Sequence, residues 1–415
     1  MGLVKTDKII AGMVLAKDLV DAKGRLLIPK GTVLDDVRKE HLGRWGIDGV
    51  EIEDDSCAGK EPCRASMEDY EAAEAYLTPL FEASNLHFSA IRAIFKLGVR
   101  RTAGRIATGW TPPKLEALPY VNDGTFEDLF LKGEGTVEEL VQHEVQLTSF
   151  PDIYFRIRKV LQSPLSSSAD VAEVVSKDTS LSAKLLRLVN SPFYGFPARV
   201  DSIRRAVTIV GSNELATLAL GISAIKTFTK IPAELVDMKS FWAHSIGCGV
   251  LASRLADEIG QSGLERYFVA GMLHDIGRLV LFRQMPCACM EALIFSRSDK
   301  IPLYDAEQKV MGFDHAVVGT LLFKEWNLPR SLSQVVRFHH TPMRCSEPLE
   351  PALINLADVL AVALGYGSSG SIIIPELSEV TWKTLGIQTR DLVGIVDRAE
   401  VEIREIVDIF LGGEE

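Results

Sequence analysis

This sequence has little that would hold a polyanion. No long basic run offsets its net charge of −11 and pI near 5.4, so binding to a nucleic-acid backbone is not expected. The densest positive stretch, Arg92 to Arg105 with Lys96, Arg100 and Arg101, reads as the solvated face of a helix. Six cysteines among 415 residues do not make a disulfide framework and fit reduced thiols in a cytosol. Cys57 with Cys63, and Cys287 with Cys289, lack a second couplet at zinc-finger spacing and read as incidental. No basic-then-apolar leader opens the sequence, and no apolar run reaches about eighteen residues without a polar break. A soluble, cytoplasmic protein is the expectation.

What is present is a core. With 47% hydrophobic residues the chain has enough apolar surface for two or three domains. Residues 1–55 alternate short apolar runs with Gly and Asp/Lys turns: Ile9 to Leu15, a turn at Asp21 to Gly24, then Leu26 to Ile28. A helix is expected over residues 33–45, opened by Thr32 and followed by Gly46, and a closing strand over 49–53. This predicts a small α+β module. Residues 56–138 read as a helical connector, helical in pattern over 68–96 and broken at Thr111-Pro112-Pro113 and Val121 to Gly124. From 139 to 415 nearly every segment has helical period, so the fold class is mainly α. Residues 268–282 read there as a buried central helix. His87 and His143 stand alone in helical context and read as ordinary structural histidines.

Seven metal-ligating residues run through that helical region: His244, His274, Asp275, His315, His339, His340 and Asp358. They take five of the eight histidines, and four of them form adjacent pairs. Burying a carboxylate such as Asp275 or Asp358 in an apolar helix costs several kcal/mol unless it is compensated. A shared cation offsets that cost, and Arg278, one turn beyond Asp275, offers an ion pair instead. Imidazole and carboxylate donors suit Fe, Mn, Ni or Zn, and this number of ligands can serve one or two divalent ions. The adjacent imidazoles of His339 and His340 are expected to point about 100° apart, as neighbours on a helix do.

The order His244, His274-Asp275-Ile276-Gly277, His315, His339-His340, Asp358 resembles the HD superfamily of metal-dependent phosphohydrolases. The nearer resemblance is to its HDOD branch, the HD-related output domain of bacterial signalling proteins. Leu147 to Pro151 is similar to that family's opening segment. Lys177 to Ser191 is similar to its Asp-Pro-x-Leu…Leu-Arg-x-x-Asn-Ser block, with Thr179 where Pro is usual. Ser202 to Val207 with Gly211, Trp242-x-His244-Ser245, Gly312 to Gly319 and Trp326 to Pro329 fit as well. The resemblance covers about residues 140–365. Residues 1–55 resemble more loosely the module that precedes some HD-GYP phosphodiesterases.

The resemblance implies a multihelical HD/HDOD-type domain, a metal or ligand pocket and signalling by protein contact, with bacterial signalling proteins or a second copy as partner. A nucleotide is the class of ligand it implies. Departures weigh against turnover. His339-His340 runs into Thr341-Pro342-Met343, without the Glu and Gly-Tyr-Pro of the cyclic-di-GMP-hydrolysing relatives. Arg278 replaces a Lys and is a poor proton donor, which leaves it a phosphate contact as its catalytic role. Ser240 occupies a position where some relatives carry a carboxylate. An active metal-dependent phosphohydrolase, acting on a nucleotide or cyclic dinucleotide, is the other reading.

Overall fold

The structure, a computed structural model, describes residues 65–412 except 114–125, 132–133, 148–151, 164–165, 197 and 229–230. Before residue 65 it describes 2–5, 15–17, 19–20, 26–28, 32, 42, 47 and 49–52. The helix expected over 33–45 apart from Leu42, which is helical, most of the Ile9 to Leu15 run, the turn at 21–24, the Cys57/Cys63 couplet and the break at 121–124 lie outside these residues. So does all of the opening segment 147–151 beyond Leu147.

Two compact units are present, residues 1–66 and 67–415. In the first, β1 (Gly2–Lys5) runs antiparallel to β4 (Gly49–Ile52), with Leu3 opposite Glu51. A second pair joins β2 (Leu19–Val20) to β3 (Leu26–Ile28) with a register shift between Leu19 and Val20. The Ala16 N–H donates to the Glu51 carbonyl at 2.8 Å, and Leu15 N–H to that of Thr32 at 3.0 Å. These are the strand signals of the alternating sequence.

The second unit is helical, with no strand among its described residues. It opens with α1 (Met67–Leu77) and α2 (Ser89–Ala107). A 3-10 turn carrying Pro79 separates them, because proline cannot donate to the helical ladder. Residues 67–107 were expected to form part of a connector, but α2 packs on the later helix that carries Asp358, and both helices lie within the second unit. Next come α3 (Val137–Leu147), α4 (Asp152–Gln162), α5 (Ser168–Ser176), α6 (Thr179–Val189), α7 (Ile203–Val210) and α8 (Ser212–Ile225). Their starts follow local chemistry: the Asp178 carboxylate accepts from Leu181 N–H at 2.9 Å and caps α6.

The centre is α9 (Met238–Glu258), packed against α10 (Leu264–Leu273), α16 (Leu349–Leu364) and α18 (Asp391–Leu411). A Cβ on Gly271 would meet the Gly249 backbone at 2.7 Å, so α9 and α10 cross where only glycines allow it. Between α10 and α16 come α11 (Ile276–Gln284), α12 (Pro286–Asp299), α13 (Leu303–Met311), α14 (His315–Glu325) and α15 (Arg330–Phe338). Helix α17 (Glu379–Leu385) precedes α18. On α16, Leu353, Ile354, Leu356, Val359 and Leu360 are all fully buried. At about 1.5–3 kcal/mol per side chain, that burial can carry one buried carboxylate, Asp358, within the same helix.

Candidate metal centre

The apolar stretch 268–282 is not one helix. Helix α10 ends at Leu273, α11 starts at Ile276, and His274 and Asp275 form the joint. Asp275 sits at φ −99°, ψ 8°, outside the helical well, and the break points both side chains into one place. Gly277 makes the next approach possible. A Cβ there would lie 2.0 Å from the His315 carbonyl oxygen, so only glycine lets the start of α14 reach Asp275. The Asp314 carboxylate caps α14 by accepting from Val317 N–H at 2.9 Å, which fixes His315 as the first helical residue.

All seven expected residues converge, and Asp275 stands between two groups. Its Oδ1 faces His315 Nε2 at 2.9 Å and His339 Nε2 at 3.8 Å. His315 Nε2 in turn lies 3.3 Å from His339 Nε2 and 3.2 Å from His340 Nε2. On the other side, Asp275 Oδ2 lies 3.3 Å from His274 Nε2 and 3.8 Å from His244 Nε2. Asp358 Oδ1 closes that group at 3.3 Å from His244 Nε2 and 3.8 Å from His274 Nε2. His339 and His340 were expected to diverge. Instead α15 ends at Phe338, their ring centroids are 3.9 Å apart, and both turn toward His315.

These spacings suit a cation. Ligand atoms about 2.0–2.1 Å from one ion are about 3.3 Å apart in a tetrahedron and about 2.9 Å apart as octahedral neighbours. The tautomers agree. His274 Nδ1 donates to the Gly271 carbonyl at 2.6 Å, and His339 Nδ1 to the Val336 carbonyl at 2.7 Å. A carbonyl only accepts, so each neutral ring carries its proton on Nδ1 and turns a bare Nε2 inward. His274 Nε2, Asp275 Oδ1 and both ring nitrogens of His244 are buried without a hydrogen-bond partner. Buried atoms in that state are costly; an ion in the His244, His274 and Asp358 group would satisfy His274 Nε2 and one ring nitrogen of His244, and an ion in the His315, His339 and His340 group would satisfy Asp275 Oδ1. The donor set therefore fits a metal.

Two residues that the sequence reading passed over complete the surroundings. Glu307 on α13 is buried, and its Oε2 accepts from His315 Nδ1 at 2.6 Å and from the His315 N–H at 2.9 Å. Its Oε1 accepts from Arg278 Nε at 3.2 Å. Ser369 is buried too, and its hydroxyl accepts from Arg278 Nη1 at 2.5 Å. Arg278 Nη1 also reaches Asp275 Oδ2 at 2.6 Å. In sequence, Glu307 is one more acidic residue of an amphipathic helix, and its distance of eight residues from His315 is the only signal it gives.

Electrostatics follow from burial. Asp275, Glu307 and Asp358 face a single fixed cation, Arg278, leaving two negative charges to be neutralised. Desolvation raises the pKa of Asp275, but Arg278 and then His274 hold it well below the usual carboxylate range. Burial and Arg278 oppose charge on His315, yet Glu307 and Asp275 bring it to about 9. His339 is pushed down to about 3 by burial and by His274 and His315. Without an ion, protons on His274 and His315 supply the missing charge.

The lone histidines are ordinary, as expected. His143 Nδ1 pairs with Gln284 Oε1 at 3.0 Å, and the His87 N–H donates to Asn85 Oδ1 at 3.0 Å. No single helix among the described residues is long and apolar enough to cross a membrane.

Residues 147–342 match the HDOD domain model, a span that ends before Asp358 and Ser369. An uncharacterised protein of Treponema pallidum is 26% identical over 212 residues, 51% of this chain and 41% of that protein. The chain thus spans about two fifths of that relative's length. An HDOD domain protein of unknown function from Geobacter sulfurreducens superposes with a TM-score of 0.53 at 24% identity, covering 66% of this chain and 98% of that one. A phosphohydrolase candidate from Shewanella amazonensis gives 0.52 at 22% identity, covering 65% and 97%. The mainly α fold is that of these proteins, and residues 147–342 match the HDOD domain.

Proposed function

We propose that this chain is a bacterial signalling output protein whose HDOD domain holds a divalent metal in a closed pocket and acts by protein contact rather than turnover. Closure of the pocket carries the reading. His244, His274, Asp275, His315 and His339 are at most 1% exposed, and Asp358 and Arg278 are 3% exposed. A catalytic metal keeps one coordination position open to substrate. Here His340 lines a surface cavity of about 200 Å³ together with Thr341 to Arg344. Arg278 is engaged by Asp275, Glu307 and Ser369, so a phosphate would have to displace it from all three.

Metal number follows from charge. One divalent ion neutralises the two uncompensated negative charges, while a second would leave the pocket positive. Asp275 Oδ1, His315, His339 and His340 form the stronger position, because Arg278 sits against the other oxygen of Asp275. Nitrogen and oxygen donors of this kind suit Fe, Mn, Ni or Zn. We read the protein as cytoplasmic, with residues 1–66 or a separate protein supplying the input and a signalling protein or second copy receiving the output.

The second reading, phosphohydrolysis, draws on the metal-ligand set itself and on the Shewanella neighbour. A bound ion would supply Lewis acidity there, and Arg278 would contact the phosphate. Metal-loaded protein offered cyclic-di-GMP and bis(p-nitrophenyl) phosphate, with Fe, Mn or Ni supplied, decides between the two. We expect metal binding and no turnover above background. Hydrolysis that disappears in His274→Ala would replace the contact reading with the enzymatic one.

A further inference from the structure

The basic stretch of α2 is not wholly a solvated face. Arg100, Arg101 and Arg105 from α2 and Arg404 from α18 line a cavity of about 380 Å³ together with Asp397 and Glu400. Four guanidinium groups thus meet two carboxylates. Arg100 Nη2 pairs with Asp397 at 3.1 Å. Glu400 is shared between Arg101 Nη1 at 2.5 Å and Arg404 Nη2 at 3.8 Å. Arg105 has no carboxylate within ion-pair distance among the described residues.

Arg105 is held in place without being neutralised, and Arg101, paired with Glu400, is held beside it. Arg105 lies over the Trp110 ring with Cζ 3.9 Å from its centroid. Arg101 lies over the Tyr366 ring at 4.2 Å, donates to its hydroxyl at 3.1 Å, and keeps a buried Nε with no hydrogen-bond partner. The two sit one helical turn apart, where like charges repel. Burial and the neighbouring Arg101 lower the Arg105 pKa. Planar guanidinium forks fixed on aromatic rings bind phosphate oxygens in pairs and lose little freedom in doing so. A cavity of this volume falls in the range of small-ligand sites, about 300–1,000 Å³.

We propose that this cavity binds a phosphate group, free or carried by a small phosphorylated molecule. The excess of two positive charges matches the charge of a phosphate monoester. Recognition is local to the cavity, which reconciles it with a chain too acidic overall to hold a nucleic-acid backbone. Tyr366 also begins the loop that carries Ser369, the partner of Arg278, so the cavity and the metal-ligand cluster share one short segment of backbone.

The test is calorimetric titration of the full chain with AMP, and with inorganic phosphate alone, at about 150 mM salt. Saturable binding is expected, weakened about tenfold or more by Arg105→Gln and by Arg101→Gln, since each removes a charged donor. Arg105→Lys keeps the charge and loses the fork, so it too should weaken binding while leaving the melting temperature close to that of the parent. Lys383→Gln, distant from the cavity lining, should bind as the parent does. AMP binding tighter than phosphate assigns the site to an ester, and equal binding assigns it to free phosphate. No saturable binding of either, or AMP binding unchanged in Arg105→Gln and Arg105→Lys, overturns the proposal.

Discussion

Replacing Glu307 by glutamine tests whether the pocket is organised from outside its ligands. The carboxylate accepts three hydrogen bonds, from His315 Nδ1, the His315 N–H and Arg278 Nε. Glutamine keeps one acceptor oxygen and turns an NH₂ toward donors. It also leaves Arg278 and His315 short of a buried counter-charge. Breaking a buried ion pair by removing one partner costs about 3–5 kcal/mol. With an unfolding entropy near 2.1 cal/mol/K per residue over residues 67–415, that is a fall in Tm of about 4–7 °C. Because Glu307 sets the tautomer and orientation of His315, metal affinity should also fall about 10- to 100-fold. Scanning calorimetry of the chelated protein reads the first effect, and competition against a metallochromic chelator reads the second. A Tm within 1 °C of the parent together with unchanged metal affinity would refute the assignment of Glu307 as the group that positions His315.

Other expectations concern packing, titration and the Arg278 clamp. Gly277→Ala should separate α14 from Asp275, since its Cβ would overlap the His315 carbonyl; metal binding should be lost while helical circular dichroism persists, and retained affinity would contradict the close approach. In metal-free protein the raised His315 pKa gives stability that is complete below about pH 6.5 and lost as pH rises through about 9. Metal replaces that proton, so melting temperatures of loaded protein should stay flat over the same window, and parallel curves for both forms would argue against His315 as a ligand. The depressed pKa values of Asp275 and Glu307 have the opposite sign. Their stabilisation is complete above about pH 4.5 and lost as pH falls below it, which acid titration followed by tryptophan fluorescence should show. Ser369→Ala removes one hydrogen bond to a charged group and should cost about 1.5–3 kcal/mol in chemical denaturation; no loss would mean Arg278 does not depend on the loop.

The seven converging residues were legible because each is a polar group set in an apolar helix, where burial without compensation is expensive. That argument acts position by position, so it identified Asp275 and Asp358 without a fold. It could not identify Glu307, which looks like any acidic residue on an amphipathic helix until α13 and α14 are placed side by side. The break at His274-Asp275 was hidden for a related reason. Apolar residues run on both sides of the pair over 268–282, and the chain leaves the helical well there to serve contacts with residues far away in sequence. His339 and His340 were expected to diverge as neighbours on a helix; α15 ends at Phe338, before either of them, so that rule does not hold. The packing of α2 on α16 was likewise invisible to local pattern. So was the cavity its arginines share with α18, because Arg404 lies about 300 positions beyond them.

The most direct measurement is the metal content of the purified chain by elemental analysis, beside that of Asp275→Asn, after both are loaded with Fe, Mn, Ni or Zn and freed of excess ion. Asp275 gives one oxygen to each group of ligands, so a metal-centred account predicts about one divalent ion per parent chain and a near-complete loss in the folded variant. Parent protein that retains no ion, or Asp275→Asn that retains as much as the parent, would contradict it.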